Sequence, residues 1–249
     1  MDIWYEGPSY VVADKPPGML VHPADAHGTG TLVNVLLQSN RWLAEMEHSY
    51  FPGVIHRLRE SDRGLVLVAK TDEVAQTLRE QHQAGELTFS YRVQLPASIA
   101  THKQAPVTVL DHKVYDDGFT VMDIDTPIGD TDRLREEWLG SGVNGAHFVL
   151  YQMTVPDRIQ PRVIATARRI PLPDIELYTA PPCSVCNGTK DFLRYHGFGY
   201  FDHSLTDPDN VETMRQLRGK ERGIPVIQWE GKTLVGFDRQ QLKSRLQLL

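Results

Sequence analysis

The chain has 249 residues, room for one large domain or two smaller ones, and its 41% hydrophobic and 23% charged content excludes a disordered or fibrous protein. A formal net charge of −6 argues against a broad basic surface for gripping a phosphate backbone. No apolar run approaches a membrane span, and the opening MDIWYEGPSY lacks the basic start and apolar centre of an export signal, so a cytoplasmic protein with no membrane partner is expected.

Taken in order, Tyr10–Ala13 reads as a strand stopped by the turn Asp14–Gly18, and Met19–His22 as a second short extended piece. Thr31–Gln38 reads as an apolar helix. Val54–Leu58 and Gly64–Ala69 read as strands on either side of the charged loop Arg59–Arg63. Such a charge run reads most simply as a set of solvated surface ion pairs, Arg59 with Glu60 and Asp62 with Arg63. Thr71 is a good N-cap, Asp72 and Glu73 suit a first helical turn, and Gly85 suits the far end. Leu87–Leu95 alternates as a strand should, Val107–Ile124 reads as a hairpin around Asp116-Asp117-Gly118, and Ala146–Val155 is a further strand. The front of the chain is therefore mixed α+β.

Arg168–Pro173 is the expected linker, since Pro-x-Pro interrupts secondary structure. This divides the chain into 1–167, a linker 168–173, and 174–249. From Asp174 onward ten acidic residues balance ten basic ones, so the whole −6 belongs to the front. Beyond the linker come a strand at 175–178, Cys183 and Cys186, a helix at 187–196 and an extended stretch at 199–205. A helix capped by Thr206 or Asp207 follows, then strands at 225–229 and 233–237 and a final helix capped by Asp238. The order β-α-β-α-β-β-α is a thioredoxin-type α/β topology.

Cys183 and Cys186 are the only cysteines, and a C-x-x-C between a strand and a helix sets the first thiol against the positive end of the helix dipole, which favours thiolate. Two inert buried thiols would more naturally be scattered. Zinc needs about four ligands, and His196 and His203 lack a regular spacing for completing such a site. A redox dithiol is the favoured reading, with no metal.

Four features of the last 76 residues resemble a glutaredoxin: strand Ile175–Thr179 before Cys183-Ser184-Val185-Cys186, the run Gly223-Ile224-Pro225-Val226-Ile227, Glu230-Gly231-Lys232, and Gly236-Phe237-Asp238. The resemblance implies Cys183 as nucleophile and Cys186 as resolving thiol. Substrate would dock on Ile224 and Pro225, the proline being preceded by a cis bond, and on Gly236, Phe237 and Asp238. It implies protein or glutathione disulfides as partners. No cofactor would be bound, and electrons would come from glutathione or a thioredoxin-reductase-type reductant. Ser184-Val185 departs from the family's Pro-Tyr, and Gly-Phe-Asp from its Gly-Gly-x-Asp.

Tyr10–Pro23 and Pro52–Thr71 (PGVIHRLRESDRGLVLVAKT) resemble RluA-like pseudouridine synthases, whose catalytic segment reads H-R-L-D-x-x-T-S-G-L-L-L-x-A-K. His56, Arg57 and Leu58 match, and Tyr91 matches the active-site tyrosine. Arg59 stands where that family has its essential aspartate, and the later T-G-R-x-H-Q-I-R segment is not recognisable. Arginine stays protonated and serves neither as nucleophile nor as base. The expectation is thus a glutaredoxin-like thiol–disulfide oxidoreductase fused to a degenerate synthase module that retains at most residual RNA binding. The alternatives are an active RNA pseudouridine synthase with a redox appendage, or an RNA- or protein-binding module with redox sensing.

Overall fold

The apolar run Gly64–Ala69 has buried residues on both faces, so it occupies the middle of a sheet rather than an edge. In the computed structural model, which describes residues 2–23, 28–39, 41–46, 52–101, 105–116, 118–157 and 161–249, this run lies in β3 (Arg63–Ala69). The other strands of its sheet are β1 (Asp2–Glu6), β2 (Tyr10–Lys15), β4 (Thr88–Pro96), β5 (Thr108–Val114), β6 (Phe119–Thr126), β7 (His147–Val155) and β8 (Arg162–Ala165). They run in the order β1-β2-β3-β7-β4-β6-β5, with β8 also on β7. Only β3 and β7 pair in parallel, through Arg63↔Val149 and Gly64↔Leu150. Helices α1 (Leu32–Ser39), α2 (Arg41–Ala44), α3 (Asp72–Gln83) and α4 (Thr131–Trp138) accompany the sheet, and one apolar core draws on strands and helices together. Mixed α+β architecture is thus observed for the front.

Two expected strands are missing, for local reasons. Val54 bridges Val68, but beyond it the ring of His56 takes the Leu67 N–H through Nε2 at 3.2 Å, where a ladder would use a carbonyl. Met19–His22 is irregular, although Leu20 and Val21 carbonyls receive the N–H groups of Leu32 and Val33. The hairpin of β5 and β6 is present, while Asp117 lies outside the described residues. Strand β1, α2, α4 and β8 have no counterpart in the sequence reading.

The rest of the chain forms a second sheet. It comprises β9 (Glu176–Thr179), β10 (Phe201–Ser204), β11 (Val226–Trp229) and β12 (Lys232–Val235), in the order β10-β9-β11-β12. Only β10 and β9 are parallel in it. Helices α5 (Ser184–Tyr195), α6 (Pro208–Arg218) and α7 (Arg239–Arg245) complete it around a core that includes Leu177, Leu193, Phe198 and Ile227.

The two sheets meet in specific contacts. Ala167 bridges Leu248, and the Tyr115 hydroxyl donates to the Pro173 carbonyl at 3.0 Å. Leu172 packs with Tyr115 and Val121, with Phe201 against them. The residues 168–173 are therefore held along much of their length: Arg168 N–H donates to Gln247, and Leu172 N–H donates to the Asp111 carboxylate at 2.8 Å. Gly199 lies so close to the Tyr115 ring that a Cβ would stand 2.3 Å from Cε2.

Candidate active site

The segment after Val54 descends to a loop that faces the N-terminus of α4. His56 is buried, its Nδ1 3.0 Å from the Gly129 carbonyl and its Nε2 accepting from Leu67 N–H. These partners require the neutral tautomer with the proton on Nδ1. Burial, with His82 nearby, pushes its pKa down to about 3. Tyr91 donates its hydroxyl to the same Gly129 carbonyl at 2.9 Å, and burial raises its pKa well above the ordinary phenol value. His56 and Tyr91 therefore do converge, but on a backbone carbonyl that they fix in place.

In front of them stand two ion pairs. Arg57 faces Asp130 at 3.7 Å, and Arg59 faces Asp132. Backbone bonds hold this register: Thr131 N–H donates to the Arg57 carbonyl at 3.1 Å, and Arg59 N–H donates to the Thr131 hydroxyl at 2.8 Å. Burial raises the Asp130 pKa, while the Arg57 guanidinium opposes the shift. The Asp132 side chain is 68% exposed. It opens with Arg59, Arg135, Glu136 and Asn144 onto a cleft of about 280 Å³.

Behind the cleft lies a charge cluster. Asp62 is fully buried, accepting from Arg135 Nη2 at 2.7 Å and from Phe148 N–H at 3.1 Å. The buried Lys15 ammonium donates to the carbonyls of Pro16, Met19 and Glu60, and burial lowers its pKa to about 8 even with Asp62 and Glu60 near. This corrects the surface-ion-pair reading of Asp62 and Arg63, which pair with Arg135 and Asp14 instead of each other. The sequence reading also missed Asp130, Asp132 and Arg135. The signal for their helix was present in Leu134 and Trp138 at i,i+4 and in Arg133 and Glu137 at the same spacing.

The C-terminal residues singled out from sequence gather separately. Cys183 and Cys186 form a disulfide at the start of α5, and Cys183 is the N-cap, its Sγ accepting from Cys186 N–H at 3.0 Å. The Ile224–Pro225 bond is cis, and β11 begins beside Tyr178 near the end of β9 from which the chain runs to Cys183. Gly236 N–H donates to the Pro225 carbonyl at 2.7 Å, Phe237 packs against Phe192, and Asp238 caps α7 through Gln241 N–H. Among the described residues no helix is long and apolar enough to cross a membrane.

The mixed sheet with its loop docked on α4 sets the class of fold, and residues 9–139 match the family described as RNA pseudouridylate synthase. The chain belongs to that family. It is 34% identical over 136 residues to an uncharacterised RNA pseudouridine synthase of Bacillus subtilis, a match covering 55% of this chain and 39% of that one. It is 33% identical over 123 residues to ribosomal large subunit pseudouridine synthase D of Pseudomonas aeruginosa, covering 49% of this chain and 38% of that one. The chain thus spans about two fifths of the length of these curated relatives. Among solved structures, human RNA pseudouridylate synthase domain containing 4 aligns at a TM-score of 0.44 and 16% identity, covering 68% of this chain and 88% of that one. A glutaredoxin from Archaeoglobus fulgidus aligns at a TM-score of 0.26 and 17% identity, covering 29% of this chain and 85% of that one.

These matches overturn the main functional expectation. A thiol–disulfide oxidoreductase, with synthase activity set aside and disulfides as partners, does not stand, because the family and the named relatives are isomerases. The expectation rests on the C-x-x-C and on two departures in the front, Arg59 and the unrecognised later segment; in the structure Arg59 pairs with Asp132 from α4.

Proposed function

We propose that this chain acts on RNA as a pseudouridine synthase, with Asp132 supplying the carboxylate. The observation that carries the reading is the Arg59–Asp132 pair at the mouth of the cleft, Arg59 standing at the sequence position where the resembled family keeps its aspartate. Isomerisation breaks the bond from ribose C1′ to uracil N1 and makes one to C5, with loss of the C5 proton. A carboxylate serves as nucleophile at the sugar or as base toward it. Arg59, half-exposed beside Asp132, offers a cation to the RNA phosphates. Reaching the reacting atoms requires the uridine to leave the stack and enter the cleft.

The finer architecture belongs to the same proposal: a synthase-like unit over 1–167, a held connection at 168–173, and a thioredoxin-like unit over 174–249. The strand order β10-β9-β11-β12 with helices between supports the last of these.

A second reading is RNA binding without turnover, which the arginine at position 59 favours. Tritium release from RNA labelled at C5 of uridine separates the two. The natural chain is expected to release tritium, and Asp132→Asn to lose about 100-fold or more while keeping its RNA affinity. Binding without release by the natural chain would establish the second reading. Neither binding nor release would overturn both.

A further inference from the structure

A larger cleft, about 600 Å³, lies between the two sheets, where α5 and α7 face the edge formed by β1, β2 and the start of β3. Its walls carry three kinds of group. Arg239 and Lys243 stand one helical turn apart on α7. Phe192 and Phe237, with ring centroids 5.7 Å apart, and Tyr195 supply aromatic surface. Asp2, Asp14 and Asp191 supply carboxylates.

Arg63 ties these walls together. It donates to Asp14 at 2.7 Å and to His196 Nδ1 at 3.2 Å, and its guanidinium lies 4.4 Å from the centre of the Tyr195 ring. Because His196 accepts at Nδ1, its remaining ring proton is on Nε2. Burial first, then the convergence of Arg63, Lys243 and Arg239, pushes the pKa of His196 down to about 3. Asp14 Oδ1 and Arg63 Nε are buried beside the cleft without hydrogen-bond partners among the described residues.

Cations, aromatic faces and carboxylates together match the three parts of a nucleotide. Phosphate suits Arg239 and Lys243, a base suits the aromatic wall, and ribose hydroxyls or base N–H groups suit the carboxylates. We propose that this cleft binds a nucleotide of single-stranded RNA flanking the uridine that enters the Arg59 cleft. The inference rests on the RNA reading above. One short loop joins the two places, since Arg59 lines the first cleft and Arg63 the second, with a turn closed by Asp62 N–H on the Arg59 carbonyl. Their Cα atoms are at most about 14 Å apart, a separation on the scale of a few nucleotides of extended strand.

The test is fluorescence anisotropy on a labelled uridine-containing single-stranded oligonucleotide across a range of salt concentrations. Arg239→Ala with Lys243→Ala is expected to weaken binding at least about 10-fold and to flatten the log–log salt slope by about 1.4, the share of two phosphate contacts. Lys220→Ala with Arg222→Ala, which removes equal charge from exposed positions outside the cleft, is expected to change neither. Equal losses in both double variants would reduce the effect to bulk charge and overturn the proposal. Unchanged binding in the Arg239/Lys243 variant, beside a natural chain that binds, would overturn it while leaving the synthase reading intact. A natural chain that binds no oligonucleotide would overturn both. Competition by free uridine monophosphate as strong as by unlabelled oligonucleotide would reassign the cleft to a free nucleotide and sink the strand-binding proposal.

Discussion

A carboxylate with no solvent contact persists in a fold only where cations and N–H donors replace water. Asp62 has an arginine and a backbone amide in that role, and Arg135 is itself buried with its guanidinium 4.5 Å from the Phe148 ring centre. Removing one member strands the other, so Asp62→Ala is expected to cost about 3–5 kcal/mol in urea unfolding. Asp62→Leu combined with Arg135→Met is expected to recover most of that loss; a double variant as unstable as the single would show that the pair is not the cause. At this scale the sequence was partly legible. His56 and Tyr91 are identifiable from the segments around them, but their shared partner, Gly129, is 73 residues from one and 38 from the other. The Arg59–Asp132 and Asp62–Arg135 pairs have the same character. Neighbouring charges in sequence suggest pairing with each other, and only the docking of α4 reveals their true partners.

Elements were easiest to read where a cap marks the start. Thr71 Oγ1 accepts from Val74 N–H, and Asp207 and Asp238 cap α6 and α7 as the sequence suggests. They were hardest to read where a side chain replaces the ladder, as His56 does, or where pairing is brief. The parallel contact of β3 with β7 is one such place, since only two residue pairs join them. Gly64 is one of those residues. It has φ of +133°, and a Cβ there would stand 2.2 Å from the Leu150 carbonyl oxygen. Neither the backbone angle nor the space accepts a side chain, so Gly64→Ala must part the strands at the centre of the sheet. Gly188→Ala is the matched control, because its Cβ would meet nothing within 4 Å and it lies within α5. Circular dichroism melts are expected to show a drop of several degrees for Gly64→Ala and no loss for Gly188→Ala. Equal melting of the Gly64 variant and the natural chain would remove the close approach from the account of the fold.

Across the whole molecule, each sheet packs against a neutral histidine, the buried His56 and the half-buried His196. His56 closes the Arg57–Arg59 loop onto β3, and His196 receives Arg63 at the seam with α5. Burial lowers both from the ordinary 6.5 to about 3. Below pH 6.5 the unfolded chain therefore binds protons that the folded chain refuses, and stability is lost as pH falls toward 3. Asp14 and Asp130 act in the opposite sense, because burial raises their pKa values and the folded state takes up their protons first. The two opposing effects overlap in acid, so a bare pH titration of stability does not isolate the histidines. Replacing one of them does. Each histidine alone would contribute a fall of about 2 kcal/mol between pH 7 and pH 5. His196→Gln keeps an acceptor for Arg63 and removes the titration. Its urea midpoint is expected to depend less steeply on pH over that interval than the natural chain's, whatever its absolute value at pH 7. A slope unchanged by the substitution would mean that His196 takes up its proton as readily in the folded as in the unfolded chain, which a hydrogen bond from the Arg63 guanidinium to its Nδ1 does not permit.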